Sequence, residues 1–281
     1  MRGALQFMSI IGEFVLEKLS RDPNVGDILN ASYESKHNDS LANIAVLKEH
    51  FPRIEKLIAG KRVLNIGCAE GLETLAISRL GASYVHGIDI RIDPARNRTV
   101  HAQANGSQIQ FSVMNATHTS FGDGEFDMVV TCGSFEHFSD PFAVLRECVR
   151  VVKEEGLILI TSGVWAHPYG AHMNFFTKVP WVQYFFSEKT IMTVRKKYRS
   201  DGAMRFCDVE GGLNKVGVRT FLEMVDRLEL EIENLQLSPV KGLAILTRIP
   251  YIQELFTNLI VAMLKKPCSA AVRHGERSES A

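Results

Sequence analysis

The sequence has no excess of charge of either sign. Its 281 residues include 32 lysines and arginines and 32 aspartates and glutamates, which gives a formal net charge of +0 at pH 7. A chain balanced in this way has no overall field that would draw it to nucleic acid or to an anionic membrane. We therefore expect a small-molecule partner and no nucleic-acid partner.

The sequence also has no long uninterrupted apolar run. The most apolar late stretch, residues 243–264, contains Arg248, Pro250, Gln253 and Glu254, and is too polar to span a bilayer. The first 14 residues lack the apolar core and the small-residue cleavage site of a secretory signal. We expect no stable membrane insertion.

Close pairs of cysteines are missing as well. The five cysteines are scattered, without the spacing typical of zinc binding or of redox chemistry, and this favours reduced thiols in the cytoplasm. His167 and His172 lie five residues apart with no carboxylate or thiol partner at ligand spacing. We therefore expect no metal site.

The chain does contain a regular alternation of two patterns. Runs typical of β-strands occur at 62–66, 84–88, 109–113, 126–131 and 157–161, and helical patterns occur at 70–80, 94–104 and 141–152. A hydrophobic content of 46% is enough to bury a core. This alternation predicts an α/β, doubly wound, mostly parallel sheet with helices on both faces.

Changes in residue pattern along the sequence suggest three parts. We expect an N-terminal helical cap at 1–60, a main domain at 61–266 and a disordered tail at 267–281. Inside the main domain, residues 163–215 are rich in aromatics and histidine and look like an insertion over the sheet after the fifth strand. Beyond it we expect a helix at 218–228, a strand at 231–237, a helical segment at 243–256 and an apolar run at 259–264.

The most informative segment is 63–71, a buried strand that ends in a glycine-bearing turn and opens a helix. Such a turn lets the backbone approach a ligand, and the helix start offers unpaired N–H groups. Asp89 ends the next strand, where its two oxygens can accept hydrogen bonds from ribose hydroxyls. A nicotinamide-dependent oxidoreductase is the weaker alternative, because Ala69 and Leu72 stand where its G-x-G-x-x-G motif needs glycine.

An ordered set of motifs resembles the class I S-adenosylmethionine-dependent methyltransferases, in the type-11 methyltransferase domain group, over about residues 60–162. The first is Asn65-Ile-Gly-Cys-Ala-Glu-Gly71. The others are Gly87-Ile-Asp89, Asn115-Ala116, the segment 124–130, Ser134-Phe-Glu-His-Phe138, Asp140-Pro141 and the segment 145–156. The resemblance implies a Rossmann-like methyltransferase fold with a seven-stranded sheet, and S-adenosyl-L-methionine as the cofactor.

The resemblance also implies roles for individual residues. Gly67, Cys68, Ala69 and Gly71 would wrap the amino-acid end of the cofactor, and Asp89 would hold the ribose. Ile90 would pack on the adenine, Asn115 and Ala116 would border its edge, and Cys132 and Gly133 would lie beside the methionine portion.

Two positions depart from the family pattern. The family usually has an acidic residue at Asn65 and commonly one at Asn115, and an amide keeps the hydrogen bonding of a carboxylate but loses its charge. A non-catalytic relative that still binds the cofactor is therefore the alternative to a methyltransferase of a small-molecule, glycosylated or lipid-like acceptor, with oxygen the expected methyl-accepting atom.

A catalytic base is needed only if the acceptor arrives protonated. We expect His167 first and His172 second, because the chain leaving the fifth strand can bring this segment over the cleft. Pro168 holds His167 toward an extended backbone, and Gly170 permits a sharp reversal. His137 is the third candidate. The alternative is structural in each case: the pair at 167 and 172 holds its loop together, and His137 belongs to the wall of the cofactor site.

Overall fold

The computed structural model describes residues 2–20, 45, 47–92, 108–170, 176–199, 202–240 and 242–268. The first half of the chain contains α1 (Arg2–Leu19), α2 (Ile54–Ile58), β1 (Arg62–Ile66), α3 (Leu72–Arg79), β2 (Tyr84–Asp89), β3 (Gln108–Val113), β4 (Phe126–Cys132) and α4 (Pro141–Val151). The second half contains β5 (Val152–Gly163), α5 (Val182–Phe185), α6 (Glu188–Arg195), α7 (Val218–Arg227), β6 (Glu231–Pro239), α8 (Gln253–Phe256) and β7 (Thr257–Lys265). Short 3-10 turns occur at Phe135–His137, Phe206–Gly211 and Ala244–Arg248.

The strands form one seven-stranded sheet in the order β3-β2-β1-β4-β5-β7-β6. The pairs among β3, β2, β1, β4 and β5 are parallel, whereas β7 runs antiparallel to both β5 and β6. The predicted doubly wound, mostly parallel fold is thus confirmed. The five strands predicted before residue 163 correspond to β1 through β5, and β5 is longer than predicted at both ends. The helix predicted at 94–104 lies outside the described residues.

Local sequence signals explain where the helices begin. Asp140 caps α4 by accepting the N–H of Ala143 at 2.9 Å, and Pro141 occupies the first turn, where its missing N–H costs nothing. Gly71 precedes α3 with φ +90°, a left-handed conformation that glycine adopts without a steric penalty. These signals fix the helix starts beside the carboxyl ends of β1 and β4.

The prediction of one helical segment over 243–256 was wrong, because the segment is divided into two short pieces. The segment contains the 3-10 turn Ala244–Arg248 and the short α8, and Ile249 between them is extended, with φ −96° and ψ 111°. Pro250 explains the break, because the ring of a proline disfavours a helical conformation for the residue before it. The apolar run that follows forms β7.

Helices bury both faces of the sheet. On one face α4 and α7 pack against the central strands, with Leu145 and Phe221 fully buried beside Ile158. On the other face α2 and α3 contribute Ile58 and Ala76. The strands between them therefore have apolar side chains on both faces, as parallel sheets require.

The first helix packs away from this sheet. Leu16 of α1 is fully buried in a separate cluster with Phe176, Val182 and Ile191, which belong to the segment after β5. Residues 47–58, in contrast, pack on the sheet itself. Residues 21–44 and 269–281 fall outside the described part, so the predicted division into cap, main domain and tail stays a prediction.

Within the described ranges, no helix combines the length and the apolar character needed to cross a bilayer.

Candidate functional site

A cavity of about 580 Å³ opens at the carboxyl ends of β1, β2, β3 and β4. The chain turns from β1 to β2 on one side of β1 and later crosses to β4 on its other side, so this is the switch point of the sheet, where open α/β folds bind ligands. The lining residues are Ile66, Gly67, Ala69, Ile88, Asp89, Ile90, Arg91, Met114, Asn115, Ala116, Thr117, Gly133, Ser134, His137, Phe138, Ser139 and Val144.

The turn after β1 exposes backbone to the cavity, because Gly67 has no side chain. Gly67 has φ +77°, and a Cβ placed there would lie 2.5 Å from the Cβ of Ser134, far inside contact distance. The N–H groups of Gly67 and Cys68 donate to the carbonyl oxygen of Ile88 at 2.9 and 3.1 Å, which fixes the turn against the end of β2. Only glycine allows this approach of the two strand ends.

Asp89 stands at the end of β2 and holds the neighbouring backbone. Its Oδ2 accepts the N–H of Ala69 at 2.9 Å, and its Oδ1 accepts the N–H of Arg91 at 3.0 Å. Each carboxylate oxygen has further lone pairs, so both can still accept a ligand hydroxyl. Asp89 lines the cavity, and its role in holding a ribose stays a prediction.

The far end of the cavity is apolar with a polar edge. Ile90 is 57% exposed although it is a large aliphatic side chain, and Met114 and Ala116 lie at the same cavity. Asn115 uses its Oδ1 to accept the N–H of Thr117 at 3.0 Å and the hydroxyl of Thr117 at 2.9 Å. The amide of Asn115 thus stabilises the turn that follows β3. The apolar side chains at this end of the cavity suit a flat aromatic base.

Four of the predicted cofactor residues lie beneath the cavity instead of lining it: Asn65, Cys68, Gly71 and Cys132. Asn65 is 1% exposed, and its Nδ2 donates to Oγ1 of Thr74 at 3.0 Å. Burial raises the pKa of the Cys68 and Cys132 thiols well above the ordinary value, so both remain protonated at neutral pH. Neither thiol is a nucleophile in this state.

His137 is the one histidine that lines the cavity among the described residues. Its Nδ1 lies 2.7 Å from the carbonyl oxygen of Gly212. Because a carbonyl oxygen only accepts, Nδ1 has to donate, and the neutral ring then has its lone pair on Nε2. Asn214 reinforces the contact by donating from Nδ2 to the carbonyl oxygens of Phe135 at 2.7 Å and Phe138 at 3.1 Å.

His167 does not line this cavity. It is 9% exposed, its Nδ1 accepts the N–H of Tyr169 at 3.2 Å, and burial lowers its pKa to about 4. The side chain of Gln183 donates to its carbonyl oxygen at 2.9 Å. These bonds fit the structural alternative for His167. His172 lies outside the described residues, so a base from this segment stays a prediction.

Several lining residues escaped sequence reasoning. The resemblance assigns no role to Ser134 or Phe138, although both lie on the cavity wall opposite Gly67. The remaining unpredicted lining residues are Ile66, Ile88, Arg91, Met114, Thr117, Ser139 and Val144. Those that directly follow β2 and β3 had a usable signal, since every strand end of a parallel sheet faces the same edge.

A second groove of about 460 Å³ lies on the segment after β5, apart from the first cavity. It is lined by Glu188, Lys189, Met192, Thr193, Lys196, Met204 and Arg205. No group of three histidine, cysteine or acidic side chains placed to hold a metal ion occurs in the described part of the chain.

The features of the main cavity fit S-adenosylmethionine. The glycine turn is open to backbone contact, Asp89 presents accepting oxygens, and the apolar end matches an adenine. Buried acceptor atoms without a partner, Oδ1 of Asn65 and Oε1 of Glu73, lie below the same turn in the described structure. A ligand with hydroxyls, an aromatic base and donor hydrogens matches all of these.

Comparison with known proteins agrees with this geometry. A family profile described as "Methyltransferase domain" matches residues 64–160. The ubiquinone biosynthesis O-methyltransferase of Neisseria meningitidis serogroup A is 30% identical over 107 residues, which cover 37% of this chain and 45% of that protein. The chain thus spans less than half the length of the curated relatives it matches.

Solved structures show the same fold. A S-adenosylmethionine-dependent methyltransferase from Methanosarcina mazei superposes with a TM-score of 0.54 and 17% identity, covering 78% of this chain and 99% of that one. The [4+2]-cyclase SpnF superposes with a TM-score of 0.51 and 17% identity, covering 81% and 82%. Residues 64–160 of this chain are thus similar to the methyltransferase-domain family, and the fold is the one seen in solved S-adenosylmethionine-dependent methyltransferases.

Proposed function

We propose that this chain transfers the methyl group of S-adenosylmethionine to an oxygen atom of a small acceptor, including glycosylated or lipid-like molecules. The cavity at the switch point of the sheet supports this most, because it lies within the residues that match the methyltransferase family. The choice of oxygen rests on the O-methyltransferase relatives.

The residues of the chain align two reactants. When bound, S-adenosylmethionine would supply a methyl group on a positively charged sulfur, and the sulfur would leave as the acceptor oxygen bonds to the methyl carbon. Gly67 and Ala69 would present backbone to the amino-acid end of the cofactor, and Asp89, which lines the cavity, would hold the ribose hydroxyls. Alignment of this kind contributes up to about 7 to 11 kcal/mol to catalysis.

We assign the base, where the acceptor hydroxyl needs one, to Nε2 of His137. The bond from Nδ1 to Gly212 orients the ring and leaves the accepting lone pair on Nε2. The proton of the acceptor hydroxyl passes to Nε2 while the oxygen bonds to the methyl carbon. His167 and His172 remain the alternative candidates, and the burial and hydrogen bonds of His167 favour a structural role for it.

We further propose that residues 163–215 cover the acceptor. None of the described residues in this segment lines the main cavity. Its C-terminal end is nevertheless hydrogen-bonded to the cavity wall, because Gly212 and Asn214 bind the turn at 135–138. An acceptor held between this segment and the turn would lie beside His137.

The alternative is a non-catalytic protein that keeps the fold and the cofactor. Asn65 supports it, because the buried amide has no charge where the family usually has an acid. The similarity to a cyclase of the same fold illustrates that the fold does not fix the reaction.

Two measurements separate these functions. Calorimetry with S-adenosylmethionine, S-adenosylhomocysteine and NAD should show binding of the first two in preference to NAD. Transfer of a radiolabelled methyl group to a panel of phenols, catechols and quinols then identifies an acceptor. Binding without transfer to any acceptor would favour the non-catalytic alternative, and tight binding of NAD alone would overturn the family assignment for this site.

With an acceptor in hand, His137→Ala should lower kcat about 100-fold or more while S-adenosylhomocysteine affinity changes little. His167→Asn and His172→Asn are the comparison variants. A large loss of turnover in either of them, with His137→Ala near the wild type, would move the base to the segment after β5.

A further inference from the structure

Glu73 lies in the first turn of α3, which begins directly after the loop that follows β1. Its Oε1 is buried and has no hydrogen-bond partner in the described part of the structure. Burial raises its pKa to about 8, and no cation among the described side chains offsets this. A buried carboxyl oxygen without a donor costs folding free energy, so it calls for a functional explanation.

A second buried acceptor atom belongs to Asn65, at the end of β1. Asn65, at 1% exposure, donates from Nδ2 to Thr74, the residue that follows Glu73, while its Oδ1 has no partner among the described residues. Within the described part of the chain, the end of β1 and the start of α3 therefore each contribute one buried oxygen without a donor hydrogen.

Glu73 also lies close to the residues that flank the cavity. Its negative charge adds to burial in raising the thiol pKa values of Cys68 and Cys132. Cys68 follows Gly67 and Cys132 precedes Gly133, and both glycines line the cavity. The other charges that act on these thiols are also negative: Asp89 on Cys68 and Glu136 on Cys132.

We propose that Glu73 and Asn65 Oδ1 together receive the ammonium group of S-adenosylmethionine, with Glu73 supplying the acidic charge that the family usually has at position 65. The inference rests on the proposed use of this cofactor. An ammonium has three N–H donors, enough for both of these acceptors, whereas the sulfonium has none. Binding of the cation also favours the charged form of Glu73.

The test uses ligands with and without the ammonium group. S-adenosylmethionine and S-adenosylhomocysteine contain it, and methylthioadenosine shares the adenosine and the sulfur but lacks the amino-acid end. By calorimetry on the full chain, Glu73→Gln should weaken binding of the first two about 10- to 100-fold and leave methylthioadenosine unchanged. Glu70→Gln is the matched control, since it removes the same charge three residues earlier, in the loop before α3.

Two further readouts separate binding from a structural role. In the double variant Asn65→Asp with Glu73→Gln, a carboxylate returns at the family position, and affinity for S-adenosylhomocysteine should recover. At pH 7, the wild type should release protons on binding this ligand, measured as a dependence of the heat on buffer ionisation enthalpy. That release should vanish in Glu73→Gln.

The inference is overturned if Glu73→Gln binds all three ligands like the wild type, weakens all three equally, or matches Glu70→Gln. If the wild type binds methylthioadenosine and S-adenosylhomocysteine, but Glu73→Gln does not selectively lose affinity for S-adenosylhomocysteine, the proposed role of Glu73 is wrong. The proposed function is then unaffected. If the wild type binds none of the three, both proposals fall.

Discussion

The carboxylate of Asp89 accepts the backbone N–H of Ala69 at 2.9 Å, joining the end of β2 to the turn that follows β1. One side chain thus shapes the turn and presents oxygens to the cavity. We expect Asp89→Ala to weaken binding of S-adenosylhomocysteine by about 1.5 to 3 kcal/mol, the size of hydrogen bonds to a charged group. Calorimetry measures the loss.

The control for Asp89 is Asp140→Ala. Asp140 caps α4 and does not line the cavity, so its loss should lower stability by about 1 kcal/mol without changing the dissociation constant. If Asp89→Ala behaved in the same way, with a lower melting temperature and unchanged affinity, Asp89 would be only a structural residue.

Gly67→Ala should disable the cofactor turn. The substitution places a Cβ 2.5 Å from the Cβ of Ser134 and forces alanine to φ +77°. Gly60→Ala is the matched control, because Gly60 has φ +72° with nothing within 4 Å of the new Cβ. The control should lose about 1 to 2 kcal/mol of stability, and Gly67→Ala should lose more together with cofactor binding. Equal losses in urea unfolding would mean that Ser134 moves aside freely.

Glu147 of α4 accepts hydrogen bonds from Thr119 in the loop after β3. We expect this carboxylate to make the stability of the fold depend on pH in the acidic range. Burial alone raises its pKa, but hydrogen bonds from Arg150 and from Thr119, at 2.6 to 2.9 Å, outweigh it and lower the pKa to about 2. A lowered carboxyl pKa stabilises the fold above the unfolded value of about 4.5, and this stability is lost as pH falls toward 2.

Glu147→Gln should therefore cost about 2 kcal/mol at pH 7, with the difference from wild type shrinking below pH 4.5. Glu223→Gln removes an ion pair from the surface, where the side chain is 64% exposed, and should change stability by under about 1 kcal/mol. A difference that stays constant down to pH 2 in urea titrations would contradict the assigned cause.

His167 should make the protein sensitive to mild acid. Its folded pKa of about 4 lies below the ordinary 6.5 because the ring is buried. Between these values the unfolded chain binds a proton that the folded chain excludes, so stability falls as pH drops from 6.5 to 4. His167→Asn keeps an acceptor for the Tyr169 N–H and should remove up to about 3 kcal/mol of this fall.

The same titration on the wild type includes His86, whose pKa burial also lowers. Comparing stability curves of His167→Asn and wild type isolates the His167 contribution. Parallel curves between pH 4 and 6.5 would show that His167 titrates normally in the folded protein.

The sequence by itself determined the elements that depend on local pattern. The strands β1 and β4 have mostly apolar, buried runs because both sheet faces are covered there, and this pattern is readable one segment at a time. Several site residues predicted from the motifs of the resemblance, such as Gly67, Asp89 and Asn115, lie at or just beyond the ends of strands. Parallel strands bring those ends to one edge, so local motifs predicted part of the cavity lining, and the remaining lining residues came only from the structure.

Only the tertiary structure decided what depends on neighbours distant in the chain. The crowding of Gly67 by Ser134, the bond from His137 to Gly212 and the packing of Leu16 with the segment after β5 each join residues more than 60 positions apart. The sequence also does not mark Glu73 among ordinary acidic residues of a first helical turn. What sets it apart is a buried carboxyl oxygen without a hydrogen-bond partner among the described residues, and burial is a property of the packed chain.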